Sequence, residues 1–248
     1  MKVNEAAKSL IASGAEPITI TYEKVNFFDE TDPIYRTRLL INSLDAGVLS
    51  YDQYRYVAAR TRQGYHMVKR HITKLLKMLS AEGNGREDAG CFSFPVHAKM
   101  LHDGELSVML AELCASFGAY PSFLCAEVSA DMLFENDAKV EKIEKELDAI
   151  RSMGCRIAIS EIGTEFSPSF RLAKFNFDYA ILDRSVVKEL ANEASERALG
   201  GIVAYLHHLK AKVIAPCLEN EEQAAIAKKL ACDGFSSLIP DGEEAKAS

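Results

Sequence analysis

Acidic side chains stand at the ends of several apolar, strand-like segments of this sequence. Glu127, Glu161, Asp183 and Glu219 each occupy such a position. Carboxylates that converge from neighbouring strands hold divalent cations, and a pair of cations can hydrolyse a phosphodiester by in-line attack of a bound water. These acids are few for a dinuclear site, but a single Mg²⁺ needs only one or two carboxylates and water. Glu127 and Glu161 are therefore the candidate metal ligands; alternatively, water, a Ser or a Lys satisfies both acids.

The segment RIAISEIGTEFSPSF, residues 156–170, indicates how such residues are positioned. It predicts a buried strand that carries Ser160 and Glu161 at its C-terminal end, followed by a tight turn. Similar strands are predicted at 17–27, 34–41, 91–96, 122–129, 178–183, 212–218 and 235–240. Amphipathic helices lie between most of them, including long ones from Ser50 to about Leu79 and over 186–209.

Regular alternation of strands and helices predicts an α/β fold, a TIM-like (β/α)₈ barrel with its functional residues at the C-terminal strand ends. The short link between 17–27 and 34–41 predicts a hairpin, so the first strand would run antiparallel to its neighbour. We assign residues 1–16 to an N-terminal arm, 17–240 to the barrel domain and 241–248 to a disordered tail. The polar segment 80–90 is expected to be a flexible loop.

Composition excludes some classes of partner. The formal net charge is −7 and the pI is about 5.5, which argues against nucleic acid or an anionic membrane surface as the partner. No apolar run is long enough to span a bilayer, and the N-terminus lacks the apolar centre of a signal peptide. The 6 Cys form no Cys-x-x-Cys pair, which favours buried thiols in a reducing cytoplasm.

Several motifs resemble the EAL domain family of bacterial cyclic di-GMP phosphodiesterases. They are IAISEIGTEFSPSFRLAKFNFDYAILDRSVV, VIAPCLENEEQAAIAKKLACDGFSSLIP, FSFPVHAKML and FLCAEVSADML. The resemblance covers about residues 17–240 and implies a (β/α)₈ barrel with an antiparallel first strand. It also implies that Glu127, Glu161, Asp183 and Glu219 stand at family site positions, Glu127 as a retained metal ligand.

At other family positions the resemblance implies that the functional residue is replaced. The Glu that names the family falls at Thr37, or at Arg36 if the alignment shifts by one residue. Metal-binding, proton-transferring or nucleotide-binding residues of the family fall at Ile41, Pro95, Ser160, Ile181, Pro216 and Ser236–Ser237. Apolar side chains cannot bind a hard cation or supply a proton. Glu161 is one methylene longer than the family's Asp, so it would reposition any ion.

This pattern predicts a catalytically inactive EAL-like domain that acts as a regulatory or protein-interaction module in bacterial signalling. No cofactor is expected, the partner would be a protein, homodimers are plausible by family resemblance, and cyclic di-GMP is not the expected ligand. The alternative is a cyclic di-GMP phosphodiesterase, or a receptor that binds without hydrolysis, with Mg²⁺ or Mn²⁺ at the residual acids. A third option is a barrel re-used for another small ligand.

For three further residues or groups, an ordinary structural role is expected. Glu219 is expected to accept backbone N–H groups rather than act as a base. A solitary His97 near the strand ends is expected to be hydrogen-bonded. The early segment is rich in Tyr and Arg, which are typical of interfaces, although an ordinary amphipathic helix explains most of their spacing.

Overall fold

A computed structural model of the chain describes residues 18–43, 47–60, 62–81, 90–164 and 169–237. The strands are β1 (Ile18–Phe27), β2 (Ile34–Ser43), β3 (Gly47–Leu49), β4 (Cys91–Pro95), β5 (Leu124–Ser129), β6 (Arg156–Ile162), β7 (Tyr179–Leu182), β8 (Lys212–Leu218) and β9 (Gly234–Ser237). The helices are α1 (Tyr51–Arg60), α2 (Gln63–Ala81), α3 (Ala98–Asp103), α4 (Glu105–Phe117), α5 (Asp137–Ser152), α6 (Ser169–Leu172), α7 (Arg184–Lys188), α8 (Glu193–His208) and α9 (Glu221–Lys229).

The described part of the chain forms two compact units. The first consists of the described residues within 18–23, 35–128 and 135–156. The second consists of the described residues within 24–34, 129–134 and 157–237. Each unit is described below by itself.

In the first unit, parallel strands β4 and β5 pair with Pro95 opposite Glu127. Strand β2 lies next to β4 and pairs antiparallel with the short β3. Alternate side chains of β2 pack against α1 and α2 in a core of Leu39, Ile41, Leu49, Tyr54, Ala58 and Met67. The phenol of Tyr54 donates to the carbonyl of Leu39 at 2.9 Å, so the polar end of this buried ring is satisfied.

In the second unit, the strand order is β1, β9, β8, β7, β6. Strands β6 to β9 are parallel, and β1 runs antiparallel to β9 with Asn26 opposite Phe235. Strands β7 and β8 are buried almost throughout, as expected of parallel strands covered on both faces. Side chains of Asp183, Asn192 and Asn220 accept backbone N–H groups and begin α7, α8 and α9.

The two longest predicted helices are each interrupted. The first does begin after Ser50, whose N–H donates to the Gln53 side chain at 2.8 Å as in a capping box. It is then divided into α1 and α2, because Gly64 packs directly against the backbone of Ala58. The second, predicted over 186–209, is divided into α7, a 3₁₀ turn and α8, since Asn192 caps the new helix.

Two other predicted strands are confirmed, and three predicted segments lie outside the described residues. Strands 156–162 and 212–218 have the predicted bounds. The N-terminal arm 1–16, residues 82–89 of the predicted 80–90 loop and the 241–248 tail lie outside the described residues. None of the described helices combines the length and apolar character that crossing a membrane requires.

Gly64→Ala tests the corner between α1 and α2. A Cβ at this position would lie 2.2 Å from the Ala58 carbonyl oxygen, so we expect the free energy of unfolding to fall by about 1–3 kcal/mol. Gly201→Ala, in α8, is the matched control, because its Cβ would meet nothing within 4 Å. It should stabilise the protein by about 0.5–1 kcal/mol. Denaturant unfolding measures both, and equal effects would contradict the packing described here.

Candidate functional site

The carboxylate of Glu127 is held by two arginines within the first unit. Arg36 donates from Nη2 to Oε1 at 2.8 Å and from Nε to Oε2 at 3.2 Å. Arg38 donates from Nη2 to Oε1 at 2.5 Å, and the hydroxyl of Ser93 donates to Oε2 at 3.2 Å. Both oxygens of this carboxylate, which is 4 % exposed, therefore already have charged partners.

The positions of the arginines follow from the geometry of β2. Side chains two residues apart on a strand point to the same face, so Arg36 and Arg38 project together. Arg36 also donates to Glu23 at 3.0 Å, and Arg38 donates to the carbonyl of Thr37 at 2.9 Å. Two guanidinium groups thus face two carboxylates, and the formal charge of the cluster is balanced.

Burial by itself would raise the pKa of Glu127, because a carboxylate loses hydration in the protein interior. The guanidinium groups of Arg36 and Arg38 outweigh that penalty and hold the pKa well below its usual range. The group is therefore an anion at neutral pH, with its compensating charge supplied by the protein itself. We name Glu23, Arg36, Arg38, Ser93 and Glu127 the Glu127 cluster.

Thr37 and Ile41, both assigned to family site positions, point to the opposite face of β2. Ile41 lies in the apolar core. Thr37 Oγ1 lies 2.8 Å from His71 Nε2 and donates to the carbonyl of Ser93. Burial lowers the pKa of His71 to about 3, so this ring is neutral. A shift of one residue reverses the face of every side chain in a strand. Of the two residues assigned as alternatives to this family position, Arg36 is the one that contacts Glu127.

Glu161 lies in the second unit at an irregularity of β6. The pairing with β7 shifts register between Ile159 and Ile162, and Glu161 has a left-handed φ of 61°. Such bulges re-aim a side chain at the end of a strand. The carboxylate of Glu161 accepts from Ser129 Oγ at 2.7 Å, and its carbonyl accepts from Thr164 Oγ1 at 3.2 Å. Glu161 therefore has a Ser partner, as one of the two interpretations of this acid requires.

The other two acids have structural contacts. Asp183 caps α7 by accepting from the N–H and the hydroxyl of Ser185. The side chain of Glu219 lies 3.8 Å from Arg184 Nη2, and it accepts no backbone N–H among the described contacts, contrary to our expectation. The N–H of Glu219 instead donates to the side chain of Gln223 at 2.8 Å, since the cap at Asn220 brings the first turn of α9 close to it.

Apolar or hydroxyl side chains occupy the remaining family positions. Pro95, Ile181 and Pro216 are buried, and so is Ser160. Ser236 is fully buried and accepts the N–H of Cys217 at 2.9 Å, while Ser237 donates to a strand carbonyl. Across the described ranges, no group of three or more His, Cys, Asp or Glu side chains is arranged to hold a metal ion. These residues do not fit the divalent cations that the family resemblance implies.

Sequence reasoning gave Arg36 only as an alternative and did not assign Arg38 to the site. A signal for both was available in the sequence, because a carboxylate in the apolar segment FLCAEVS requires a buried counter-charge. The segment YRTR offers two cations at alternate positions of a neighbouring strand. The missing information was the pairing of side chains across strands.

Known proteins are similar to this chain in sequence and in structure. The EAL domain profile matches residues 34–236. The chain is 26 % identical over 151 residues to signaling protein YkoW of Bacillus subtilis, covering 58 % of this chain and 18 % of that protein. It is 27 % identical over 141 residues to cyclic di-GMP phosphodiesterase RocR of Pseudomonas aeruginosa, covering 56 % of this chain and 35 % of that protein. The matches thus span well under two thirds of these relatives.

Solved structures match over nearly the whole chain. The PaMucR phosphodiesterase, solved as a c-di-GMP complex, has a TM-score of 0.83 at 18 % identity, covering 99 % of this chain and 100 % of that one. The FimX EAL domain from Pseudomonas aeruginosa, bound to c-di-GMP, has a TM-score of 0.82 at 15 % identity and covers 98 % and 96 % of the two chains. These likenesses confirm the predicted fold class, a TIM-like (β/α)₈ barrel. With its profile match across 34–236, this chain belongs to the EAL domain family.

Proposed function

We propose that this chain is a catalytically inactive EAL domain that acts through protein contacts as a regulatory module in bacterial signalling. The observation that supports this most strongly is the pairing of Glu127 with Arg36 and Arg38. A divalent cation approaching this carboxylate would have to displace two guanidinium groups and their directed hydrogen bonds. The arginines would also repel the ion, because like charges in a poorly hydrated site interact strongly.

The other family positions support the same proposal. Pro95, Ile181 and Pro216 offer no side-chain oxygen or proton donor. Among the remaining acids, Asp183 is engaged as a helix cap and Glu219 faces Arg184. No cofactor is therefore proposed, and no reaction step is assigned to a metal ion. The binding partner would be a protein, a second copy of this chain included, in the cytoplasm of a bacterium.

The alternative function is a phosphodiesterase or a non-hydrolysing receptor for cyclic di-GMP. It is favoured by the solved relatives of the same fold that are c-di-GMP complexes. Against it, Arg36 and Arg38 already have carboxylate partners, which competes with their use on the phosphates of a ligand. In this alternative, Glu161 would be the remaining acid for Mg²⁺ or Mn²⁺.

Hydrolysis of cyclic di-GMP, assayed with Mg²⁺ and with Mn²⁺, separates these functions. We expect no turnover by the wild-type chain, because the carboxylate needed by a cation is occupied. The Glu127→Ala variant should give the same result as wild type, and an active EAL phosphodiesterase assayed in parallel validates the conditions. Turnover by the wild type that disappears in Glu127→Ala would refute the proposal.

Binding without hydrolysis requires a separate measurement. Calorimetry with cyclic di-GMP at micromolar concentrations should give no saturable heat, and the melting temperature should not rise. A saturable heat accompanied by thermal stabilisation would replace our proposal with the receptor alternative. Repeating the titration with Arg38→Gln would then show whether this arginine contributes to the ligand site.

The charge pairing itself predicts a pH dependence. The pKa of Glu127 is depressed in the folded chain, so its ionisation stabilises the fold above its unfolded pKa of about 4.3 and this contribution is lost as the pH falls below that value. Glu127→Gln should be less stable than wild type at pH 7, and the gap should narrow between about pH 5 and pH 3.

Denaturant unfolding at each pH measures this gap. The matched control is Glu193→Gln, which removes an exposed carboxylate from its pair with Arg197. Such a surface pair contributes little, so that variant should stay close to wild type at every pH. A gap for Glu127→Gln that does not change with pH would contradict the assignment of an ionised, arginine-bound Glu127.

A further inference from the structure

The sequence from Gln53 to Ala81 contains Lys and Arg but no Asp or Glu. Its cations are Arg55, Arg60, Arg62, Lys69, Arg70, Lys74 and Lys77. This excess of positive charge stands in a chain whose formal net charge is −7. The last four lie on α2, within the first unit, and we call them the α2 cations. Neither the Glu127 cluster nor the other family positions involve them.

The α2 cations lie on one face of the helix. At about 100° per residue they fall within an arc of about 140°, and Lys69 and Lys77 are about 12 Å apart along the axis. Lys77 is exposed, and the other three are partly exposed. Buried side chains of the same helix, including Ile72, Leu75 and Leu76, belong to the core instead. The charge on the outer face of α2 is therefore of one sign.

Contacts within the chain do not account for this concentration of charge. Lys74 donates to the carbonyl of Ile18 at 2.5 Å, and this neutral acceptor does not cancel the positive charge. Within the described part of the chain, neither Lys69 nor Lys77 forms an ion pair. Cations in the last turn of a helix are stabilised by its dipole, but the last turn of α2 contains none. Capping of the helix end therefore does not explain the positive face.

Hydration of an exposed helix face does not explain it either. Like charges three or four residues apart destabilise a helix, and α2 has such pairs at Arg70–Lys74 and Lys74–Lys77. Helix α5, DAKVEKIEKELDAIRS, shows how another surface helix of this chain is hydrated. Its acidic and basic residues are interspersed, and Lys139 pairs with Glu135 at 2.9 Å. The single-sign face of α2 thus carries a repulsion that α5 avoids.

The neighbouring helix restricts the kind of partner that fits. Helix α2 packs against α4, whose charged residues are Glu105 and the exposed Glu112, with no cation. A nucleic acid duplex or an anionic membrane presents negative charge over an area wider than one helix, so it would meet these carboxylates as well. A single acidic segment of a protein can follow α2 without covering α4. Charge complementarity therefore favours an acidic protein segment.

We propose that the outer face of α2 is the docking site for an acidic helical segment of a partner protein. Carboxylates spaced by three or four residues on such a segment would oppose the α2 cations over about two to three turns. Met78, which is 43 % exposed, lies one turn after Lys74 and adds apolar contact at the edge. This inference rests on the proposed function, action through protein contacts, and specifies the surface and the chemistry of the partner.

A synthetic helical peptide with Glu at i, i+4, i+7 and i+11 is the probe, and fluorescence anisotropy measures its binding to the whole chain at low salt. We expect saturable binding. The double variant Lys69→Glu/Lys77→Glu should weaken it by about tenfold or more, because two attractive charge pairs become repulsive. The matched control is Lys142→Glu/Lys145→Glu on α5, which changes the net charge equally. It should bind the peptide within about twofold of wild type.

Other anions give the second arm of the test. A single-stranded oligothymidylate, a DNA duplex and vesicles of phosphatidylcholine with phosphatidylserine should each bind more weakly than the peptide. No saturable peptide binding, an equal loss in the α5 variant, or tighter binding of DNA or vesicles would overturn the proposal. Self-association that disappears in Lys69→Glu/Lys77→Glu would also overturn it, in favour of a second copy of this chain. Cyclic di-GMP turnover decides the proposed function separately, because none of these results depends on it.

Discussion

A buried carboxylate needs a compensating charge. In the first unit of this chain, Arg36 and Arg38 supply that charge to Glu127. Two guanidinium groups from one face of β2 reach both of its oxygens, and Ser93 and Glu23 complete the hydrogen bonding. Removing one partner from such a pair leaves a charge in a poorly hydrated place, which costs more than the pair contributes. The arginines and the glutamate are therefore coupled to each other.

If the domain is inactive as we propose, this coupling would explain how a family scaffold can be kept while one of its charged positions changes its role. A cation site and a guanidinium pair satisfy the same electrostatic requirement, the neutralisation of strand-end carboxylates. Unlike a metal ion, a guanidinium group is part of the chain and does not have to bind from solution. Its planar geometry also suits bidentate contact with a carboxylate. The same logic applies to Asp183, whose oxygens are used by the first turn of α7.

The Glu127 cluster and the ring of His97 share a neighbour, Tyr51. Tyr51 has the guanidinium of Arg38 5.2 Å from its ring centre, and it also stacks on the ring of His97. The aromatic residues of α1 that resembled an interface signal in the sequence are thus partly used inside the unit. Tyr54 is another example, since its hydroxyl caps a carbonyl of β2. Spacing alone could not separate these interior roles from exposure on a surface.

The sequence by itself determined the succession of strands and helices, the antiparallel first strand and the barrel class, because apolar periodicity records which faces are buried. It also identified Glu127 and the apolar side chains at Pro95, Ile181 and Pro216. Only the tertiary structure decided that Arg36 and Arg38, rather than Thr37, face Glu127. Strand pairing and the face of each residue are set by contacts between segments far apart in the chain. The division of the predicted helix into α1 and α2 near Gly64 was also decided by tertiary structure. The close approach of Gly64 to the backbone of Ala58 does not change the apolar periodicity of the sequence.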